Sequence, residues 1–207
     1  MSRLVSRIAL LSLVPLLAAT NAEAHHAMGG RLPATFGEGF ISGLAHPVIG
    51  LDHLGFIVAA GLIAGVMGLG AFVPVAFVVA SIAGVMLHVQ LVNLPFAETV
   101  IALSVVAIGG LLAAGREKPA RGVWIGLFTI AGLFHGYAYG ESIVGAEPTQ
   151  LVAYLAGLAV VQSVIGAGVA LVASGRAWTP TSLAPRLAGA AAFGIGLSAV
   201  VTQLIPG

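Results

Sequence analysis

The feature that most constrains this chain is the length of its uncharged runs. From about residue 46 to residue 205 the sequence is a succession of apolar stretches near 20 residues long, each ended by a short polar or Gly/Pro-containing break. A helix needs roughly 20 such residues to cross a bilayer. Hydrophobic residues make up 59% of the 207 and charged residues 7%, against about 25% charged in a soluble domain. The expected fold is therefore all-α, a polytopic transmembrane helical bundle embedded in lipid. The stretches predict six spans: from His46 or Leu51 to residue 67, then 72–91, Ala97–Ala114, 123–139, 149–174 and 187–205. Spacings of small residues, Gly61 with Gly65 and Gly122 with Gly126, mark expected helix contacts, because backbones approach closely where side chains are absent.

Residues 1–24 read as a secretory signal peptide, with Arg3 and Arg7, an apolar run over 8–19, and Ala22-Glu23-Ala24 as an A-x-A cleavage site. The alternative is an uncleaved first span. Cleavage would make His25 the first residue of a periplasmic segment, 25–38, ahead of a six-helix domain, 39–207. A free amine and an imidazole on one residue chelate a divalent metal, and His26 adds a donor; the plainer reading is a polar tail. The region 31–43, with its one acid Glu38, reads as a short helix or re-entrant piece.

Basic residues set orientation, since Lys and Arg collect on the cytoplasmic side. With the mature N-terminus outside, Arg116, Lys118, Arg121, Arg176 and Arg186 all fall on inner loops, and only Arg31 of the mature chain lies outside. On the same map every histidine, and every mature acid except Glu117, falls in the outer half. That segregation describes a cation-attracting funnel with low-dielectric walls. A net charge of +1 gives no reason to expect nucleic acid binding, and the absence of cysteine excludes disulfides, thiolate metal sites and cysteine nucleophiles.

The densest chemistry is HPVIGLDH, residues 46–53, which holds His46, Asp52 and His53 at the mouth of an apolar run. Ionisable side chains in hydrocarbon cost roughly 2.5–3.5 kcal/mol each on insertion scales, so they mark sites or pathways. A continuous helix would place His46 and His53 on one face, but Pro47 and Gly50 between them predict a kinked or broken entry. The competing reading is a helix-capping Asp and two hydrogen-bonded buried histidines. Further outer-half candidates are His135, Glu98, Glu141, and, in the N-terminal segment, His25, His26 and Glu38. For His135 the alternative is an imidazole bonded to a carbonyl beside an interfacial belt of Tyr137 and Tyr139, and for Glu98 a first-turn acid favoured by the helix dipole. His88 reads as packing or as a support behind the metal donors, and the methionines as packing. Nitrogen and oxygen donors without thiolate suit nickel, cobalt or zinc.

Three stretches in order, HPVIGLDH, LPFAETVIALSVV over 94–106 and FHGYAYGES over 134–142, resemble the HupE/UreJ family of bacterial membrane proteins. The resemblance runs from about residue 39 to the end. It implies a nickel or cobalt permease of the inner membrane with a cleaved signal, six helices and a link to hydrogenase or urease metallocentre assembly. It assigns metal handling to His46, Asp52, His53 and His135, with Glu141 and Glu98 as accompanying acids. Ile57, Tyr139 and Gln162 depart from residues common in the family. The function so implied is inward transport of Ni²⁺ or Co²⁺, without enzymatic activity and without a resident cofactor. Copper or zinc on the same fold, an intramembrane metal hydrolase and a metal-binding accessory module are the alternatives. No HExxH motif supports the hydrolase, and copper gains from the His25-His26 terminus.

Overall fold

The computed structural model describes residues 31–115 and 120–205. The expected signal peptide, His25 and His26 lie outside the described residues, as do Arg116, Glu117 and Lys118. The described residues form seven helices: α1 (Phe36–Ile49), α2 (Leu51–Val66), α3 (Val75–Val89), α4 (Ala97–Ala114), α5 (Arg121–Glu141), α6 (Pro148–Gly175) and α7 (Leu183–Leu204). The architecture is an all-helical membrane bundle, as expected. By length and composition α4, α6 and α7 can each cross a bilayer. α1 and α2 pass that test only as a pair bent by 79°. α3 is apolar but 15 residues long, and α5, with 21 residues, carries Arg121, Thr129, His135 and two tyrosines in its course. The six expected spans correspond to α2–α7, and the piece ahead of them is a full helix that begins at Phe36 and runs through His46.

Local chemistry sets the ends. Thr35 caps α1 by accepting from the Glu38 amide at 3.2 Å, while Glu38 Oε2 accepts from the Ala34 amide at 2.6 Å. Thr35 thereby satisfies an amide that the first helical turn leaves without a partner, and Glu38 closes a variant of the Thr-x-x-Glu capping box by reaching one residue beyond the cap. Pro148 opens α6, where its missing N–H costs nothing. Gly115 closes α4 in the left-handed conformation, φ 63°, which glycine adopts without steric cost.

α2 is the central helix, packed against α1, α4, α6 and α7. Its residues Phe56, Ile57, Ala59, Ala60, Ile63 and Ala64 are all buried. The other helices pair around it: α3 with α5, α4 with α7, and α1 with α6. Small residues make these pairs close. A methyl group at Gly61 would stand 2.6 Å from the Gly166 carbonyl oxygen, and one at Gly65 2.6 Å from that of Ala170, so the expected Gly61/Gly65 contact exists and lies against α6. The expected Gly122/Gly126 contact does not exist among the described residues: both positions are exposed there, with no described atom within 4 Å. The reason is rotational. α5 turns Trp124 and Phe128 inward over that stretch, so Gly122 and Gly126 face outward. The same helix meets α3 further along, where added methyls at Gly132 and Gly136 would strike the backbone of Phe77 and Ser81, and one at Gly140 the side chain of His88.

The two ends of the bundle differ in charge as the sequence predicted. At one end Arg186 Nε donates to the Ala113 carbonyl at 2.9 Å, Arg176 lies over the Trp178 ring at 5.6 Å, and Arg121 reaches toward Gly70. At the opposite end Gln203 bridges to Glu98 O at 3.0 Å and Thr99 at 3.0 Å, and Gln150 donates to Ala34 O at 2.9 Å. All described histidines belong to the second end.

Candidate metal centre

The site is built on the break between α1 and α2. Pro47 lies inside α1, which continues past it; the helix ends two residues later, at Ile49, and is followed by Gly50, whose ψ of 103° is extended rather than helical. The 79° turn places His46, in the last turn of α1, beside His53, in the first turn of α2, with ring centroids 6.2 Å apart. α5 brings His135 to the same point: its Nδ1 lies 2.7 Å from His53 Nδ1, with centroids 4.9 Å apart. His46, His53 and His135 are 6%, 4% and 0% exposed. The three imidazoles thus come from three helices and are all withdrawn from lipid, which meets the requirement that intramembrane ionisable groups face the protein interior.

Each ring is held. His46 Nδ1 is 2.8 Å from Tyr154 Oη on α6 and 3.0 Å from Ser142 Oγ at the end of α5. Tyr154 O–H donates to the Tyr139 carbonyl at 2.8 Å. His135 Nε2 is 3.0 Å from Ser104 Oγ on α4, and that hydroxyl donates to the Ile101 carbonyl at 2.7 Å. The Tyr139 ring lies against both His46 and His53, at 5.1 and 4.4 Å. Its hydroxyl is buried and has no hydrogen-bond partner among the described residues. An interfacial place for Tyr139 belongs to the alternative reading of His135; the structure puts the tyrosine wholly inside.

The acids divide. Asp52 is half-buried in the first turn of α2, and its Oδ1 accepts from the His53 amide at 2.8 Å. It is near enough for its charge to act on His135 and Tyr139. Glu98, in the first turn of α4, and Glu141, the last residue of α5, are exposed, and the charges of Asp52 and Glu141 both act on Glu98. These three carboxylates therefore share the rim of the histidine end. Glu38 is occupied by the capping box of α1. His88 lies apart from the other imidazoles: its Nδ1–H donates to the Tyr137 carbonyl at 2.7 Å, and its ring lies on Tyr137 at 4.3 Å. Among the described residues no three His, Asp or Glu side chains stand close enough to enclose an ion between them. The arrangement is an open series of donors rather than a cage.

Toward the arginine end the character changes abruptly. His135 rests on Phe56 and Phe77, at 4.8 and 5.3 Å, and Phe56 stacks on Phe77 at 4.9 Å and meets Phe128 edge-on at 6.2 Å. Trp124 lies behind Phe128 at 5.9 Å. All four aromatic residues are buried. A polar pair, Ser81 with Gln162, is also buried here, 3.1 Å apart, and the Gln162 amide nitrogen is buried without a partner among the described residues. Sequence reasoning missed Ser104, Ser142 and Tyr154. A lone hydroxyl in an apolar run carries no spacing signal, and only the fold shows which imidazole it meets.

A donor set of imidazoles, carboxylates and hydroxyls at one end of a lipid-embedded bundle suits a borderline divalent ion arriving from water. Comparison with known proteins agrees. No solved structure matches this chain. The model of the family described as HupE / UreJ protein matches residues 12–199. Protein HupE of Rhizobium leguminosarum bv. viciae is 38% identical over 146 residues, which cover 68% of this chain and 74% of that protein. The family is one of transport and accessory proteins connected with nickel and cobalt, not of enzymes, which removes the hydrolase alternative. The chain belongs to the HupE/UreJ family.

Proposed function

We propose that this protein carries a divalent transition-metal cation, Ni²⁺ or Co²⁺, inward across the bacterial inner membrane, with its histidine end and mature N-terminus on the periplasmic side. The observation that carries this reading is the meeting of His46, His53 and His135, from three helices, in a buried cluster at the acid-bearing end. Glu98, Glu141 and Asp52 raise the local cation concentration at the rim. His46, Asp52 and His53, backed by His135, then replace part of the water shell. Placement of the arginines at the far end supports the orientation through the positive-inside rule. A potential of 100 mV, negative inside, favours entry of a 2+ ion by about 4.6 kcal/mol, from ~2.3 kcal/mol per charge. An open donor series suits transport, because a conducted ion must also leave. A family tie to hydrogenase or urease assembly makes delivery to a metallocentre the natural use of the imported ion.

The test is uptake of radiolabelled nickel and cobalt by cells expressing the protein. His46→Ala and Asp52→Asn are expected to cut uptake at least tenfold; full uptake by both removes the proposed site. The aromatic layer beneath the histidines favours one second reading, a metal-binding accessory protein that holds the ion without moving it. Binding to purified protein without flux in proteoliposomes is its signature. Competition with copper and zinc in the same assay decides metal identity, including any share of His25 and His26 in capture.

A further inference from the structure

We propose that Gln162 on α6 is the ligand the ion meets next after the imidazoles: its side-chain carbonyl oxygen, oriented by Ser81 on α3, is an oxygen station between the histidines and the phenylalanines beneath them. The proposal rests on the transport reading above and extends it inward.

Ser81 and Gln162 are 0% and 1% exposed. One polar atom of the Gln162 amide stands 3.1 Å from Ser81 Oγ, and the other is buried without a partner among the described residues. The oxygen and nitrogen of an amide are alike in shape, and hydrogen bonding decides which is which. The Ser81 hydroxyl has one hydrogen, and it goes to the Val78 carbonyl at 2.8 Å, an ordinary O–H···O length. The 3.1 Å contact exceeds the usual range of such a bond, about 2.5–3.0 Å, and falls within that of N–H···O, about 2.7–3.2 Å. Ser81 Oγ therefore accepts from the amide nitrogen. The Gln162 amide is thus turned half a revolution about its last bond from the placement with Oε1 on Ser81, and the unpartnered position is that of the carbonyl oxygen. A carbonyl buried with no donor is costly in a protein interior, and it is the kind of oxygen that takes the place of water around a cation.

Position makes this oxygen a step on the way in. The buried face of α6 carries Tyr154, Leu158, Gln162 and Gly166 at steps of four. Gln162 is eight residues, about 12 Å of helix, further from the histidine end than Tyr154, which meets His46. Ser81 is one turn from Phe77 on the same face of α3, on its histidine side, and its backbone lies against Gly136, the neighbour of His135. Gly166, one turn past Gln162, would set a methyl 3.8 Å from Ile57, which is one turn past His53. The amide therefore lies below the imidazoles and above Phe77. Packing does not ask for an amide there, since the turns of α6 on either side present a leucine and a glycine. A neutral amide oxygen suits nickel or cobalt less well than imidazole does, so an ion passed to it is received without being trapped, as conduction requires.

The experiment uses the full purified chain in proteoliposomes with a fluorescent chelator inside, and follows Co²⁺ entry as the external Co²⁺ concentration is varied. Gln162→Leu keeps the volume and deletes the oxygen. It is expected to cut the maximal rate about tenfold while the half-saturating concentration stays within about threefold, because capture remains with the histidines. Its melting temperature in detergent is expected to hold or rise, since a buried orphan is removed. An unchanged maximal rate overturns the proposal. If Gln162→Leu loses rate and melting temperature together, Gln162→Glu decides, because it returns an oxygen to the same place. Recovery of most of the wild-type rate supports the proposal; equal loss in both variants makes the residue a packing element and overturns it. His46→Ala is run alongside. Wild-type vesicles that admit no Co²⁺ refute the transport reading and this assignment with it. A wild type that transports, a His46→Ala that does not and a Gln162→Leu that does refute the assignment alone.

Discussion

Two layers of this bundle lie in direct contact and are built on opposite principles. The histidine layer holds His46, His53, His135, Tyr154, Ser142 and Ser104, drawn from five helices, and its members are kept in place by hydrogen bonds of 2.7 to 3.0 Å. The phenylalanine layer beneath it holds Phe56, Phe77 and Phe128, and these meet only through their ring faces and edges. Both are buried. In the upper layer burial is tolerable because polar groups find partners, and one lost partner leaves a costly orphan. In the lower layer burial is favourable in itself, and the cost of change is an unfilled volume. His135 lies on the boundary, bonded to the layer above through its nitrogens and resting on Phe56 and Phe77 with its ring.

If the layers are separable, their variants must separate too. The largest effect is expected from Phe128→Ala, which empties a wholly buried position and should cost about 3–5 kcal/mol of stability, read as a lowered melting temperature in detergent, with metal affinity retained. Loss of affinity equal to that of the histidine variants would merge the two layers into one. Tyr139→Phe removes a buried hydroxyl with no partner among the described residues and should stabilise the fold by about 1–2 kcal/mol. Absence of any gain on melting would mean that this oxygen is satisfied, and that the polar layer is larger than the one described. Tyr154→Phe deletes the hydroxyl that meets His46 Nδ1; metal affinity should fall about tenfold, measured by calorimetry, with little change in melting. Ser142→Ala, which leaves Tyr154 in place on the same nitrogen, should move affinity less than about threefold. A larger effect for Ser142 than for Tyr154 would reverse their assigned importance.

The histidine layer was readable in part from sequence, and the reason lies in cost. His46, Asp52, His53 and His135 stand out because hydrocarbon makes ionisable groups rare. The break at Gly50 and the division of arginines from histidines were legible for similar reasons, one from backbone chemistry and the other from charge. The partners that orient the rings were not. Ser104 and Tyr154 sit in ordinary apolar helices, and their meaning comes from pairings across 31 and 108 residues of chain. Helix rotation was equally hidden. Gly122 with Gly126 and Gly132 with Gly136 have identical spacing, yet among the described residues only the second pair meets a neighbour. The role of Glu38 was open to reading, since Thr35 and Glu38 carry the spacing of a capping box, and its place among metal candidates gave weight to charge over local geometry.

Gly50 has a consequence of its own. Its φ of −73° and ψ of 103° are open to any L-amino acid, so the backbone does not ask for glycine there. The requirement comes from the imidazole of His53, whose Cδ2 would stand 2.6 Å from an added methyl. An alanine at position 50 would thus preserve the corner between the two helices while displacing the His53 ring and pressing on Asp52 Oδ1, 3.3 Å from the same methyl. That makes the residue a natural dial: chemistry at the mouth of the bundle can be detuned there while the architecture that carries it is left alone.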